Sequence, residues 1–159
     1  MQLAHQRIEP GQGHAVGRQL LEKLYRQRTG KPLPAICTTP EGKPYFVPEE
    51  NIFGLHFSIS HTRHHAFCVL SAQPVGLDAE EMDRQIDLRL ADKILSPREK
   101  QRFLAAEDPR TALLRLWVLK EADAKLSGRG LQGYPNHTDF DPADPRIQQI
   151  DDCFVTILY

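Results

Sequence analysis

The chain has almost no net charge, no long apolar run and no paired cysteines, and each lack closes off a class of function. Lys and Arg number 20 against 21 Asp and Glu in 159 residues. Both signs are interspersed, so no basic excess makes nucleic acid or an acidic membrane surface the main partner. No stretch approaches the roughly 18–20 apolar residues of a membrane span. The start, MQLAHQRIEPGQG, lacks a charged segment followed by an apolar run. A cytoplasmic protein with neither nucleic acid nor membrane as partner is expected. Cys37, Cys68 and Cys153 are odd in number, widely spaced and form no CxxC pair, which predicts buried free thiols rather than disulfides. Low-complexity segments, heptad runs and solenoid periods are also missing. With 40% apolar content the chain suits one domain with a real core.

The apolar periodicity sets the expected elements. Val16, Leu20, Leu21 and Leu24 recur at helical spacing and predict a helix from about His14 to Gln27, ended by Gly30 and Pro32. The proline-rich stretch 31–50 reads as turns, with EGKPYF leading into a short extended segment. In LHFSIS, Leu55, Phe57 and Ile59 alternate with His56, Ser58 and Ser60, a strand whose small polar side faces something other than the core. AFCVL reads as its antiparallel partner, and QPVGLDAE as a third strand. Three helices should follow: Ile86 to Leu95, one opened by the capping signal Ser96-Pro97-Arg98-Glu99, and one over Pro109 to Leu126 stopped by Ser127 and Gly128. CFVTILY closes the chain as a strand. The organisation is two-part, with lobes of about 1–74 and 75–159.

Two acidic residues and one helix carry the chemistry. On a strand, Asp78 and Glu80 of VGLDAE share a face, roughly 7 Å apart along the backbone. On a helix, Trp117, Glu121 and Lys125 of WVLKEADAK lie in one stripe. If helix crosses strand, three carboxylates meet one ammonium, an arrangement suited to Mg²⁺ and phosphate and equally able to serve a phosphatase or a nucleotidyl transferase. Each feature alone has a plainer reading. Asp78 and Glu80 could be a solvated strand edge, and Glu121 with Lys125 a surface pair worth about 0.3–0.5 kcal/mol. Trp117 reads as core filling that fixes the helix rotation. His56, His61, His64 and His65 lack the spacing of zinc frameworks, and His64 and His65 are expected in an exposed loop.

EGKPYF, FSISHT, VGLDAE and WVLKEADAKLSGRGL, in this order, resemble the signature series of the 4'-phosphopantetheinyl transferase superfamily, in its larger two-lobed (Sfp-type) branch. The resemblance covers roughly residues 42 to 131. It implies an α+β fold of two pseudo-symmetric lobes of antiparallel sheet and helix, with the active site in the cleft between them. The implied reaction is Mg²⁺-dependent (Mn²⁺ an alternative) transfer of the 4'-phosphopantetheine arm of coenzyme A to a serine of an acyl or peptidyl carrier protein, releasing 3',5'-ADP. By the same resemblance Asp78, Glu80 and Glu121 hold the metal, Glu121 also serves as general base, and Lys125 faces the leaving phosphate. Lys43, Ser60, His61 and Arg18 contact the coenzyme, and Lys120, about 100° off the stripe, reaches a phosphate from the rim.

The chain departs from this pattern at its start. It begins almost at the first helix, leaving Arg7 as the one basic residue near the position where the branch grips the 3'-phosphate, and CTTPE replaces a basic residue before GKP. Weaker coenzyme binding is the expectation. Arg98, Lys100, Arg102, Arg110 and Arg115 form a modest basic surface for an acidic carrier helix, with Phe103 or Leu131 at the rim. A cleft complete within one chain predicts a monomer. The competing reading is a shortened relative that binds carrier proteins or nucleotides without catalysis.

Overall fold

The computed structural model describes residues 1–130 and 138–159. The first half contains β1 (Gln2–Arg7), α1 (Gly13–Thr29), β2 (Ile36–Thr38), β3 (Pro44–Phe46), β4 (His56–His61) and β5 (His65–Ser71). The second contains β6 (Gly76–Glu81), a 3-10 turn over Leu88–Leu90, α2 (Ala91–Ile94), α3 (Pro97–Leu104), α4 (Pro109–Ser127), β7 (Ile147–Ile150) and β8 (Cys153–Leu158). This is an α+β fold. In each half a strand is followed by a long helix and then by a hairpin. The sheet orders are β1-β5-β4 and β6-β8-β7, every pairing antiparallel, so the last strand of each half lies in the middle. The β2–β3 hairpin is inserted in the first half, and the three short helical pieces in the second.

Alternation along the strands divides the core into three layers. Ala66, Cys68 and Leu70 of β5 join Phe57 of β4 and Val16, Leu20, Leu21 and Leu24 of α1 in one apolar cluster. Phe67 and Val69, on the other side of β5, meet Leu77 and Ala79 of β6 and Val155 of β8. Phe154 and Leu158, on the far side of β8, meet Leu113, Leu116 and Leu119 of α4. A strand's period of two puts neighbouring residues on opposite faces, so both central strands are buried on both sides. Each sheet is covered by its own helix, and the apolar cluster around Phe67 and Leu77 joins the two sheets.

Several boundaries follow local chemistry. Ser96 caps α3 by accepting from the Glu99 amide while the Glu99 carboxylate accepts from the Ser96 amide, the reciprocal box its sequence announces. Asp108 caps α4 by accepting from the Thr111 amide, and Gly128, at φ 73°, ends it. The expected helix from Ile86 to Leu95 is instead a 3-10 turn and one short helix. Ile86, Leu90 and Ile94 do meet the core there, but Asp87 accepts from the Arg89 amide and starts the chain afresh. The first element is also not α1. β1 precedes it, antiparallel to β5 from Gln2 opposite Leu70 to Arg7 opposite His65.

Two further expectations are corrected by burial. His65 is not in an exposed loop; it opens β5 and is 1% exposed. Phe103 is not a rim residue but part of the core beneath α3. The expectation for Leu131 lies outside the described residues.

Candidate active site

The site forms where the edge strands of the two sheets, β4 and β6, run side by side. The polar side of β4 explains its spacing here. Ser58 Oγ accepts from the Leu77 amide at 3.0 Å, and Ser60 Oγ accepts from the Ala79 amide at 3.2 Å. Residues two apart on one strand thus satisfy amides two apart on the next, side chain to backbone, where no backbone ladder runs. Ser60 then uses its proton on Asp78, donating to Oδ1 at 2.9 Å.

Helix α4 reaches this seam because Gly76 lets it. A Cβ at Gly76 would lie 2.0 Å from the Ala122 carbonyl oxygen, so only glycine permits so close an approach of strand and helix. The stripe on α4 consequently faces the acidic side of β6. Lys125 Nζ donates to Asp78 Oδ1 at 2.7 Å and to Ser60 Oγ at 3.0 Å. Trp117 Nε1 donates to Glu80 Oε1 at 2.9 Å. Arg84, in the turn after β6, also donates to Glu80 Oε1 and lies over the Trp117 ring, 5.6 Å from its centre. Trp117 and Arg84 therefore orient the Glu80 carboxylate directly. Trp117 packs on the core as well, but sequence reasoning missed its polar task, although its place in the stripe with Glu121 was the available signal. Nothing in the spacing of Arg84 announced it.

A cleft of about 680 Å³ opens on these groups. Asp78, Glu80, Glu121, Lys125, Trp117 and Arg84 line it from the second half; His14, Arg18, Ser60 and His61 line it from the first. All three carboxylates come from the second half, together with Lys125 and Arg84, while the first half contributes Arg18 and the two imidazoles. A Cβ on Gly13, in the first turn of α1, would meet the His61 ring at 2.4 Å, so α1 packs tightly against that imidazole. His14 meets the same ring edge-on at 4.7 Å between centres. Burial, then the charges of His14 and Lys125, hold His61 below its ordinary pKa. A smaller adjoining pocket of about 220 Å³ is lined by Gly42, Lys43, Glu121, Lys125 and Gly128.

Glu80 and Glu121 are both raised above the ordinary carboxylate range. Burial, reinforced by the Asp78 charge, pushes Glu80 up to about 7 against the opposing pull of Arg84, Trp117 and Lys125. The same two causes raise Glu121, with Lys125 and Arg84 opposing.

A family model of the 4'-phosphopantetheinyl transferase superfamily matches residues 74–153, half of the chain and all of β6, α4 and β7. The chain belongs to this superfamily. Among curated phosphopantetheinyl transferases it is 31% identical to psf-1 of Bacillus pumilus over 118 residues, 73% of this chain and 50% of the relative. It is 30% identical to gsp of Aneurinibacillus migulanus over 92 residues, 57% of this chain and 36% of the relative. Against a 4'-phosphopantetheinyl transferase of Bacillus subtilis it is 33% identical over 94 residues, 57% and 39% of the two chains. The chain spans no more than about half the length of these relatives.

The phosphopantetheinyl transferase motifs can now be placed. Seven of the expected site residues, Arg18, Ser60, His61, Asp78, Glu80, Glu121 and Lys125, line the one cleft. Lys43 lines the adjoining pocket, where its ammonium donates to the Leu126 carbonyl at 2.7 Å and burial lowers its pKa. Lys120 is elsewhere. It is fully buried and ion-paired at 2.8 Å with Glu99, whose carboxylate also accepts from the Ser96 and Phe140 amides. The 100° step off the stripe turns it into the core between α3 and α4, so it serves packing and not the rim. Arg7 lies on β1. Of the basic surface residues, Arg102 and Arg110 donate to the carbonyls of Phe140 and Met82, and Arg115 to that of Pro142. These three fasten loops, whereas Arg98 and Lys100 pair with Asp139 and Asp92.

The donor set suits a hard divalent cation. Asp78 Oδ2 is buried and has no hydrogen-bond partner among the described residues. That is costly unless something pairs with it. The three acids that line the cleft, Asp78, Glu80 and Glu121, offer carboxylate oxygens, the ligands that Mg²⁺ prefers. The ligand atoms of Asp78, Glu80 and Glu121 are not gathered within 4.8 Å of one another, so all three could hold one cation only after their side chains converge.

Proposed function

We propose that the chain transfers the 4'-phosphopantetheine arm of coenzyme A to a serine hydroxyl of an acyl or peptidyl carrier protein, releasing 3',5'-ADP. The observation that carries this reading is the Lys125–Asp78–Ser60 contact beside Glu121 in a cleft whose opposite wall is His14, Arg18 and His61. In this proposal Asp78, Glu80 and Glu121 hold Mg²⁺, or Mn²⁺ in its place, which would neutralise charge on the pyrophosphate. Glu121 takes the proton of the incoming serine; its raised pKa suits a base working near neutral pH. The serine oxygen bonds to the phosphorus next to the pantetheine arm, and the bond to the bridging oxygen breaks. Lys125, held in place by Asp78 and Ser60, faces the departing oxygen and stabilises its charge. Arg18, His61 and Lys43 hold the nucleotide end. Trp117 and Arg84 keep Glu80 turned toward the cleft.

We further read the chain as one domain of two repeated lobes, 1–74 and 75–159, acting as a cytoplasmic monomer. No helix among the described residues is long and apolar enough to cross a membrane. The decisive experiment incubates the protein with coenzyme A, Mg²⁺ and apo carrier proteins of several classes. A gain of about 340 Da on a carrier, the mass of the phosphopantetheine transferred in such a reaction, supports the proposal; unchanged mass with every carrier overturns it.

One observation favours the reading as a binding module. Asp78 and Glu80 already carry ion pairs, to Lys125 and Arg84, which compete with a cation. Calorimetry that detects carrier binding without Mg²⁺-dependent coenzyme A binding would select it.

A further inference from the structure

A second group of potential ligands lies away from the cleft, where β5 and β8 begin. Cys153 Sγ is 3.4 Å from His65 Nδ1 and 3.9 Å from Asp152 Oδ1. One ligand atom from each of His65, Asp152 and Cys153 lies within 4.8 Å of the others, and among the described residues this is the one such group. His65 and Cys153 are almost fully buried, at 1% and 0% exposed, while Asp152 is open to solvent. Two ligands of a tetrahedral zinc ion, with Zn–S of about 2.3 Å and Zn–N of about 2.0 Å, stand about 3.5 Å apart. The sulfur and the Nδ1 nitrogen already have that separation, while Asp152 Oδ1 lies 3.9 Å from the sulfur and 3.3 Å from the other ring nitrogen, Nε2, so its exposed side chain must rotate to become the third ligand.

The surroundings suit a cation. Asp151 Oδ2 lies 3.8 Å from His65 Nε2 and 3.6 Å from His5 Nδ1. A carboxylate facing the far nitrogen of a ligating imidazole is the usual means of fixing the ring and its tautomer. The β7–β8 turn places Asp151 and Asp152 side by side at this end, with Asp151 at φ 51°. Such a conformation is uncommon for residues other than glycine and is most often adopted by Asn or Asp.

We propose that His65, Asp152 and Cys153 form a site for a zinc-class divalent cation, with solvent in the fourth position. On binding, the Cys153 S–H bond breaks, the proton passes to solvent and the sulfur electron pair forms the bond to the metal, with no change of oxidation state. The site is separate from the cleft. Cys153 belongs to the apolar cluster between the sheets, with Leu77 and Ala79, whereas Asp78 and Glu80 face Lys125 and Trp117. It takes one ligand from β5, one from the β7–β8 turn and one from the start of β8, so the ion would clip the first half to the second. The proposal does not rest on the reading of the cleft.

The test is titration of the reduced, full chain with Co²⁺ in the presence of excess Mg²⁺, which occupies hard oxygen sites. The expected result is one Co²⁺ per chain with a thiolate-to-cobalt charge-transfer band, and with Zn²⁺ an unfolding temperature raised by several degrees. The band should vanish in Cys153→Ser, persist in Cys37→Ser, and need at least about tenfold more Co²⁺ in Asp152→Asn, a surface change that leaves the core intact. Absence of the band overturns the site. So does a band that follows Cys37, or a Co²⁺ affinity unchanged in Asp152→Asn; the last decides the matter even if Cys153→Ser does not fold.

Discussion

The two halves share one chain path but not one chemistry. β1 and β6 are topological equivalents, each the first strand of its half and each an edge strand beside the central strand. β1, QLAHQR, is partly exposed and carries no acid, whereas β6, GLDAEE, is flanked by β4 and covered by α4, with Asp78 buried on it. The equivalent helices differ in the same sense. α1 offers His14 and Arg18 to the cleft, and α4 offers Glu121 and Lys125. An edge strand left in solvent holds its charges at almost no cost. One buried against a second sheet has the pKa of its acids pushed up, and here Lys125, Arg84 and the Trp117 N–H oppose that rise at Glu80 without cancelling it. The shared chain path thus supplies a scaffold, and the burial of one equivalent strand makes that half the acidic side of the proposed site.

The largest test of this asymmetry is Glu121→Gln, which removes the proposed base and leaves α4 unchanged in shape. A loss of roughly 10²- to 10⁴-fold in carrier modification is expected, with circular dichroism unchanged; near-normal activity would take Glu121 out of the chemistry. Replacing Arg18 on the opposite helix by Gln should raise the coenzyme A concentration required and leave the saturated rate nearly intact.

Lys120→Met comes next, because it breaks a fully buried ion pair that has no counterpart on α1. It should cost about 3–5 kcal/mol in chemical denaturation by stranding the Glu99 carboxylate. A cost near zero would mean that the pair contributes no more than an apolar substitute does.

The raised carboxylates predict a pH dependence with a definite sign. Glu80 is at about 7 in the folded chain against 4.5 as the ordinary value, so the folded state binds the extra proton. Stability should fall as pH rises from about 4.5 to 7, by at most about 3 kcal/mol from this group. Burial sets this value first, with Asp78 raising it and Arg84, Trp117 and Lys125 lowering it. Glu80→Gln should flatten that window in unfolding curves taken without divalent metal. A slope of opposite sign would show that Arg84 and Lys125 outweigh burial.

Smallest is a paired glycine test. An added methyl at Gly76 meets helix backbone at 2.0 Å, whereas at Gly17 it meets the Ile59 Cγ2 methyl at 2.7 Å. Gly76→Ala should destabilise by about 1–3 kcal/mol and disturb the cleft, and Gly17→Ala by less, because a side chain yields where a backbone does not. Equal effects would mean that both helices sit on their sheets with the same tolerance.

Much of this was legible wherever a short-range rule decides the outcome. Ser96 with Glu99 and Asp108 with Pro109 fix their helix starts within a few residues, and the alternation in LHFSIS and VGLDAE fixes which side chains share a face. β1 and β7 were not legible, since QLAHQR and IQQI each have too little alternation to stand out and gain strand form from β5 and β8. The site divides in the same way. The stripe of Glu121 and Lys125 follows from helical geometry, but the partner of Lys120 sits on α3, that of Glu80 on α4 at Trp117, and that of His65 at Cys153. No spacing rule links residues that only the packing of separate elements brings together.

The two serine hydroxyls of β4 have a consequence for how the molecule can come apart. Inside each sheet, strands are joined by backbone ladders that no single substitution can remove. Between β4 and β6, Ser58 and Ser60 supply the acceptors for the facing amides, so this junction can be weakened one oxygen at a time while both sheets stay whole. One of those oxygens also touches Asp78 and Lys125. Any parting of the halves along this line therefore dismantles the proposed catalytic contacts at the same moment, which makes the fastening of the molecule and its readiness to react a single event.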